Sequence, residues 1–145
     1  MLNKEIISLF PSDANIVDKV HTFASGPWDE EPSQVEWQDL TTDMNCFIKR
    51  NGMGALCGYV GVKPGHPWHG KYYDEISADI HGGLTYSGYF LEGDANMYWV
   101  GFDCSHFDDY YAFSSASNPS EYRDIKYVRD QCRKLALQAL AQGIP

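Results

Sequence analysis

Residues 79–83 read Asp-Ile-His-Gly-Gly, and residues 103–106 read Asp-Cys-Ser-His. Each places an aspartate two or three positions before a histidine, the side-chain types that exchange protons or hold a metal near neutral pH. A carboxylate beside an imidazole fixes the ring's tautomer. Glycines 82, 83 and 101 remove side-chain bulk, so a ligand can approach the backbone there. Ile76, Ala78 and Ile80 alternate with Ser77, Asp79 and His81, which puts Asp79 and His81 on the polar face of an extended segment. Further on, Tyr98, Val100, Phe102 and Cys104 take one face of a strand, and Trp99, Gly101 and Asp103 take the other. If the two segments are neighbours, Asp79, His81, Trp99 and Asp103 share a surface. The glycines then bend the chain at the rim of a pocket into which His81 points. The plainer alternative is a glycine bulge with a surface histidine.

Other chemistries are weaker. Asp103, His106 and His81, with His66 or His69, offer metal-ligand types, but no spaced metal signature occurs, and neither a metal nor a cofactor is assigned. Cys104 could pair with His81 or His106 as a nucleophile, yet alternation places it on the apolar face. "GALCGYVG" lacks both the phosphate-loop lysine and the strand–glycine–helix order. Aromatics in "HPWHG" and "DDYYAF" either plug the ends of a sheet or stack on a flat ligand such as a nucleobase, with Arg50, Lys49 and Arg123 as phosphate partners. The candidate ligand-binding set is Arg50, Trp68, Asp79, His81, Gly82, Gly83, Tyr86, Trp99, Asp103 and His106.

The elements that must position these residues follow from periodicity. "PSDANIVDKVHTFASG" spaces Ile16, Val17, Val20, Phe23 and Ala24 for a helix. "VEWQDL", "CFIKR", "ALCGYVGV", the segment around "DEISADIHGGLTYSG" and "MYWVGFDCSH" read as strands. Asn51-Gly52 favours a two-residue hairpin turn, which would set Cys46 opposite Cys57; a four-residue loop would set Cys46 opposite Tyr59. "LEGDAN" reads as a turn. From Asn118, as N-cap, to the end runs a strong helix with Tyr122, Ile125, Val128, Cys132, Leu135 and Ala139 as its buried stripe. The expected fold is one α+β domain over residues 1–145, an antiparallel sheet packed by an N-terminal and a long C-terminal helix.

The 145 residues suffice for one core. No stretch is apolar enough for a membrane span, and no secretory leader is read at the start, so a cytoplasmic location is expected. The net charge of −9 argues against general nucleic-acid binding. The charge is uneven: residues 118–145 carry +2 and residues 1–117 carry −11. The four cysteines form no C-x-x-C pair and are expected to be free buried thiols.

"GPW", "RNGMGALCGYVGV", "GHPWHGKYYDEI", "HGGLTYSG", "WVGFDCSH" and "YRDIKYV", in that order, resemble a group of small uncharacterised bacteriophage and prophage proteins. The resemblance covers about residues 26–130 and implies a mobile-element origin and life in a bacterial cytoplasm, but no catalytic residue. Three functions fit: a phage-encoded binding protein that sequesters a small nucleotide-like host-defence signal, an acidic inhibitor docking on a host protein, or a small hydrolase using His81 with Asp79 or Asp103. Whether the protein is an enzyme stays open. An amphipathic terminal helix and loop aromatics make a homo-oligomer reasonable.

Overall fold

A computed structural model of the protein describes residues 3–19, 21–90 and 94–143. It is α+β. Six strands, β1 (Asn15–Val17), β2 (Gln34–Gln38), β3 (Asn45–Arg50), β4 (Leu56–Val62), β5 (Tyr86–Tyr89) and β6 (Tyr98–Asp103), form one sheet. Its order is β1-β2-β3-β4-β6-β5, and every pairing is antiparallel. A short helix, α1 (Lys4–Ile7), precedes the sheet and a long one, α2 (Ile125–Gln142), follows it.

Alternation decides which face is the core. Val35 and Trp37 of β2, Cys46 and Ile48 of β3, Val60 and Val62 of β4, and Val100 and Phe102 of β6 point the same way and are buried. The stripe Ile125, Val128, Cys132, Leu135 and Ala139 of α2 closes over them. All four cysteines are free and buried.

Four expectations change in detail. The N-terminal helix is Lys4–Ile7, capped by the Asn3 side chain, which accepts from the Glu5 N–H at 2.8 Å. The segment with helical spacing instead supplies β1, because β-branched Ile16 and Val17 suit an edge strand and Ile16 meets Val35 across the ladder. Val20 and the Leu91–Gly93 part of the expected turn lie outside the described residues.

The β3–β4 hairpin closes in neither expected register: Cys46 faces Val60, and Arg50 faces Leu56. Asn51 sets this. Its carbonyl accepts from Gly54, its N–H donates to Ala55 O at 2.8 Å, and its side chain accepts from the N–H groups of Met53 and Ala55. Gly54 supplies the left-handed φ of +90° that such a three-residue loop requires. The C-terminal helix begins not at Asn118 but after a 3-10 turn, Pro119–Glu121, with Asp124 as N-cap accepting from Tyr127 N–H.

Residues 76–85 contain no strand. Ile76, Ala78 and Ile80 do face the core, but the backbone finds its partners on α2. Gln138 accepts from Asp79 N–H at 2.7 Å and donates to Asp79 O at 2.9 Å, and Gln131 accepts from His81 N–H at 3.0 Å. The two glutamines are seven residues apart, two helical turns on one face. They do for this strap what a neighbouring strand does in a ladder.

Candidate functional site

The strap delivers His81 to one end of the sheet. Its chain then turns sharply: Gly83 N–H donates to Ile80 O, and Gly82 and Gly83 adopt φ of +65° and +81°. A Cβ on Gly82 would stand 2.2 Å from the His106 ring. The glycine therefore serves two needs, a left-handed backbone and space for a second imidazole.

Between the two histidines lies Asp109, fully buried. His81 Nε2 is 3.0 Å from both its oxygens. His106 approaches Oδ2 with its backbone N–H at 3.0 Å and its Nδ1 at 3.2 Å. Arg123 Nε donates to Oδ1 at 3.1 Å. Behind His81, Nδ1 meets the Tyr127 hydroxyl at 2.8 Å. Burial pushes the Asp109 carboxyl up, but the hydrogen bonds from His81, the His106 backbone and Arg123 outweigh it and hold it below the usual range. The array Tyr127–His81–Asp109 is a hydrogen-bonded chain through one imidazole, suited to passing a proton between the hydroxyl and the carboxylate end. Asp103 borders it, with Oδ1 3.6 Å from His106 Nδ1. The Cys104 thiol is buried, and burial first and the charge of Asp109 next push it up, which disfavours the thiolate a nucleophile needs.

A second feature occupies the sheet face that α2 leaves open. Phe47, Tyr59, Tyr86 and Trp99 come from four strands and project into it. Gly101 sits between Tyr59 and Tyr86 in the cross-strand row, and Gly61 and Gly88 flank Trp99. Bare positions beside rings let Phe90 fold over the face. It stacks on Trp99 at 5.0 Å between centroids and 12° between planes, with edge contacts to Tyr59 and Phe47. Around these rings opens a cleft of about 760 Å³, whose other wall is polar: Asn15, Gln34, Glu36, Asn45 and Lys49.

The sequence-derived candidates thus divide. His81, Gly82, Gly83, Asp103 and His106 gather around Asp109. Tyr86 and Trp99 belong to the open-face cleft. Asp79, expected beside His81, faces the other way: its side chain is 90% exposed and lies 3.3 Å from Lys134. Trp68 is buried in the core, its backbone N–H donating to His66 Nδ1, while His66 Nε2 meets Ala139 O. Arg50 is no free phosphate partner. It is buried against Glu31, with Nη2 at 3.0 Å from Oε1, and also donates to the Tyr122 hydroxyl and Gly54 O.

Asp109, Tyr127, Phe90 and Glu31 were missed. Asp109 stands three residues after His106, the spacing at which one turn brings the side chain back to the preceding backbone N–H. Arg50 shares parity with Cys46 and Ile48, which is the pattern of an inward-facing residue. Compared with protein-family models, curated proteins and solved structures, the chain finds no match in any of the three.

Proposed function

We propose that the protein is a small-molecule binding protein whose open sheet face receives a flat, nucleotide-like ligand. The observation that carries this is the aromatic cleft: Phe90, stacked over the buried Trp99, forms ring surface with Tyr59 and Phe47 beside amides, two carboxylates (Glu36 and Asp94) and one lysine. Rings supply stacking energy that tolerates any base, and the polar wall supplies orientation. Lys49, rather than the buried Arg50, is the cation that faces the cleft. The resemblance of the sequence blocks to those of small phage and prophage proteins supports sequestration of a host-defence signal as the purpose of such binding. A native mass spectrum of protein purified from bacterial cells should carry an added small-molecule mass. Titration with mononucleotides and cyclic dinucleotides should shift the Trp99 indole resonance, and Lys49→Ala should weaken that binding about tenfold, the loss of one charge-assisted contact. A clean unliganded mass and an unmoved indole in every titration would overturn the reading.

The hydrogen-bonded Tyr127–His81–Asp109 chain favours a second reading, a small hydrolase. It differs from the expected pairing of His81 with Asp79 or Asp103 in using Asp109. Its test is hydrolysis of nucleotide substrates by the wild-type protein but not by His81→Gln.

A further inference from the structure

We infer that His81, His106 and Asp109 form a binding site for a divalent first-row transition-metal ion, zinc fitting best. Its ligands are not among the residues that line the aromatic cleft. The ligand atoms are His81 Nε2, His106 Nδ1 and an Asp109 oxygen, all within 4.8 Å of one another. The two nitrogens already stand 3.0 and 3.2 Å from the same oxygen, Oδ2. Tetrahedral ligation with bonds of 2.0–2.1 Å separates ligand atoms by about 3.3 Å. An ion would thus enter by opening these contacts a few tenths of an ångström and replacing the shared protons. Two imidazoles and one carboxylate, with a fourth position left for water, are the donor set of open zinc sites.

The outer partners match as well. A ligating histidine holds its other ring nitrogen against a second group, and a ligating carboxylate is itself hydrogen-bonded. Here Tyr127 holds His81 Nδ1 at 2.8 Å, and Asp109 is held at Oδ1 by Arg123 at 3.1 Å and at Oδ2 by the His106 backbone N–H at 3.0 Å. When Nε2 ligates, Nδ1–H donates to the Tyr127 oxygen; a hydroxyl serves as donor or acceptor, so only the tautomer changes. Asp103, 3.6 Å from His106 Nδ1, adds negative charge beside the site. The approach is from the His106 side, 29% exposed, since Asp109 is fully buried. Gly82 lets the ring of His106 lie there at all.

The test uses the full chain, stripped with chelator and titrated with Zn²⁺ and with Co²⁺ as spectroscopic probe. One equivalent should bind, and the cobalt complex should show visible ligand-field bands without thiolate charge transfer, although four cysteines are present. His106→Ala, the substitution that disturbs packing least, should lower affinity about a hundredfold while melting like the stripped wild type. Tyr127→Phe should lower it about tenfold, the range for an outer-shell partner. Failure of the wild type to bind either ion, a thiolate band, or His106→Ala binding like the wild type would each overturn the assignment.

Discussion

Glu31 and Asp109 are both buried carboxylates that face an arginine, and the difference between their settings separates a lock from a site. Every partner of Glu31 is a fixed donor. Arg50 is 6% exposed, Tyr122 donates its hydroxyl to Oε1, and the Ile125 N–H at the start of α2 donates to Oε2 at 2.8 Å. Trp28 covers Tyr122 edge-on. Burial is the first influence on Glu31 and lifts its carboxyl above the usual range despite these donors; it also drives the Tyr122 hydroxyl up. Asp109 has two imidazoles among its partners, groups able to change protonation or coordinate an ion, and one of them reaches solvent. Burial of the carboxylate is common to both. What makes one addressable is the chemistry and exposure of its partners.

The widest gap should appear on deleting Glu31. Glu31→Ala leaves a buried guanidinium and the first N–H of α2 unpaired, and should cost about 3–5 kcal/mol in denaturant unfolding, the range for breaking a buried ion pair. A loss below ~1 kcal/mol would remove Glu31 from the role of lock. Asp109→Asn keeps the shape but weakens several charge-assisted hydrogen bonds, and should cost ~1.5–3 kcal/mol. If it costs more than Glu31→Ala, the two roles are reversed.

The pH dependence should have opposite signs. Asp109 titrates lower in the fold than in the unfolded chain, so its contribution is present above the ordinary carboxylate value and is lost as pH falls through the folded value. Glu31 titrates higher, so its contribution is complete below the ordinary value and is lost as pH rises through the folded one. Unfolding curves across the acid range should therefore show Asp109→Asn removing a rising slope and Glu31→Gln removing a falling one. Equal signs would show that the two carboxyls sit in equivalent fields. The smallest effect belongs to His106→Ala, about 1 kcal/mol or less, because the ring is partly exposed and Asp109 retains His81 and Arg123. A larger loss would make the histidine part of the lock.

Much of the sheet was legible because period-two alternation is imposed by one dry face, as with Val35 and Trp37 or Val100 and Phe102. The strap shows the limit. Ile76, Ala78 and Ile80 alternate correctly, but alternation reports which side is buried, not what pairs the backbone, and here glutamine side chains do. Ile16, Val17, Phe23 and Ala24 satisfy helical spacing by coincidence, since edge pairing with β2 claims Ile16 and Val17. At the site, His81, His106 and the glycines were found from residue type. Asp109 and Tyr127 were not, because a loop aspartate and a helical tyrosine are joined to His81 across 28 and 46 residues of chain.

The way the strap is held also fixes a temporal order. His81 depends on Gln131 for its main chain and on Tyr127 for its ring, both from the helix that follows every strand. A nascent chain emerging from the ribosome has the whole sheet sequence available before either residue exists outside. Before α2 forms, the loop can already bring His106 to Asp109 through its own backbone N–H and Nδ1, but His81 has neither Gln131 nor Tyr127 to place it. The first histidine in the chain is thus the last part of the cluster to be set, and it waits on α2.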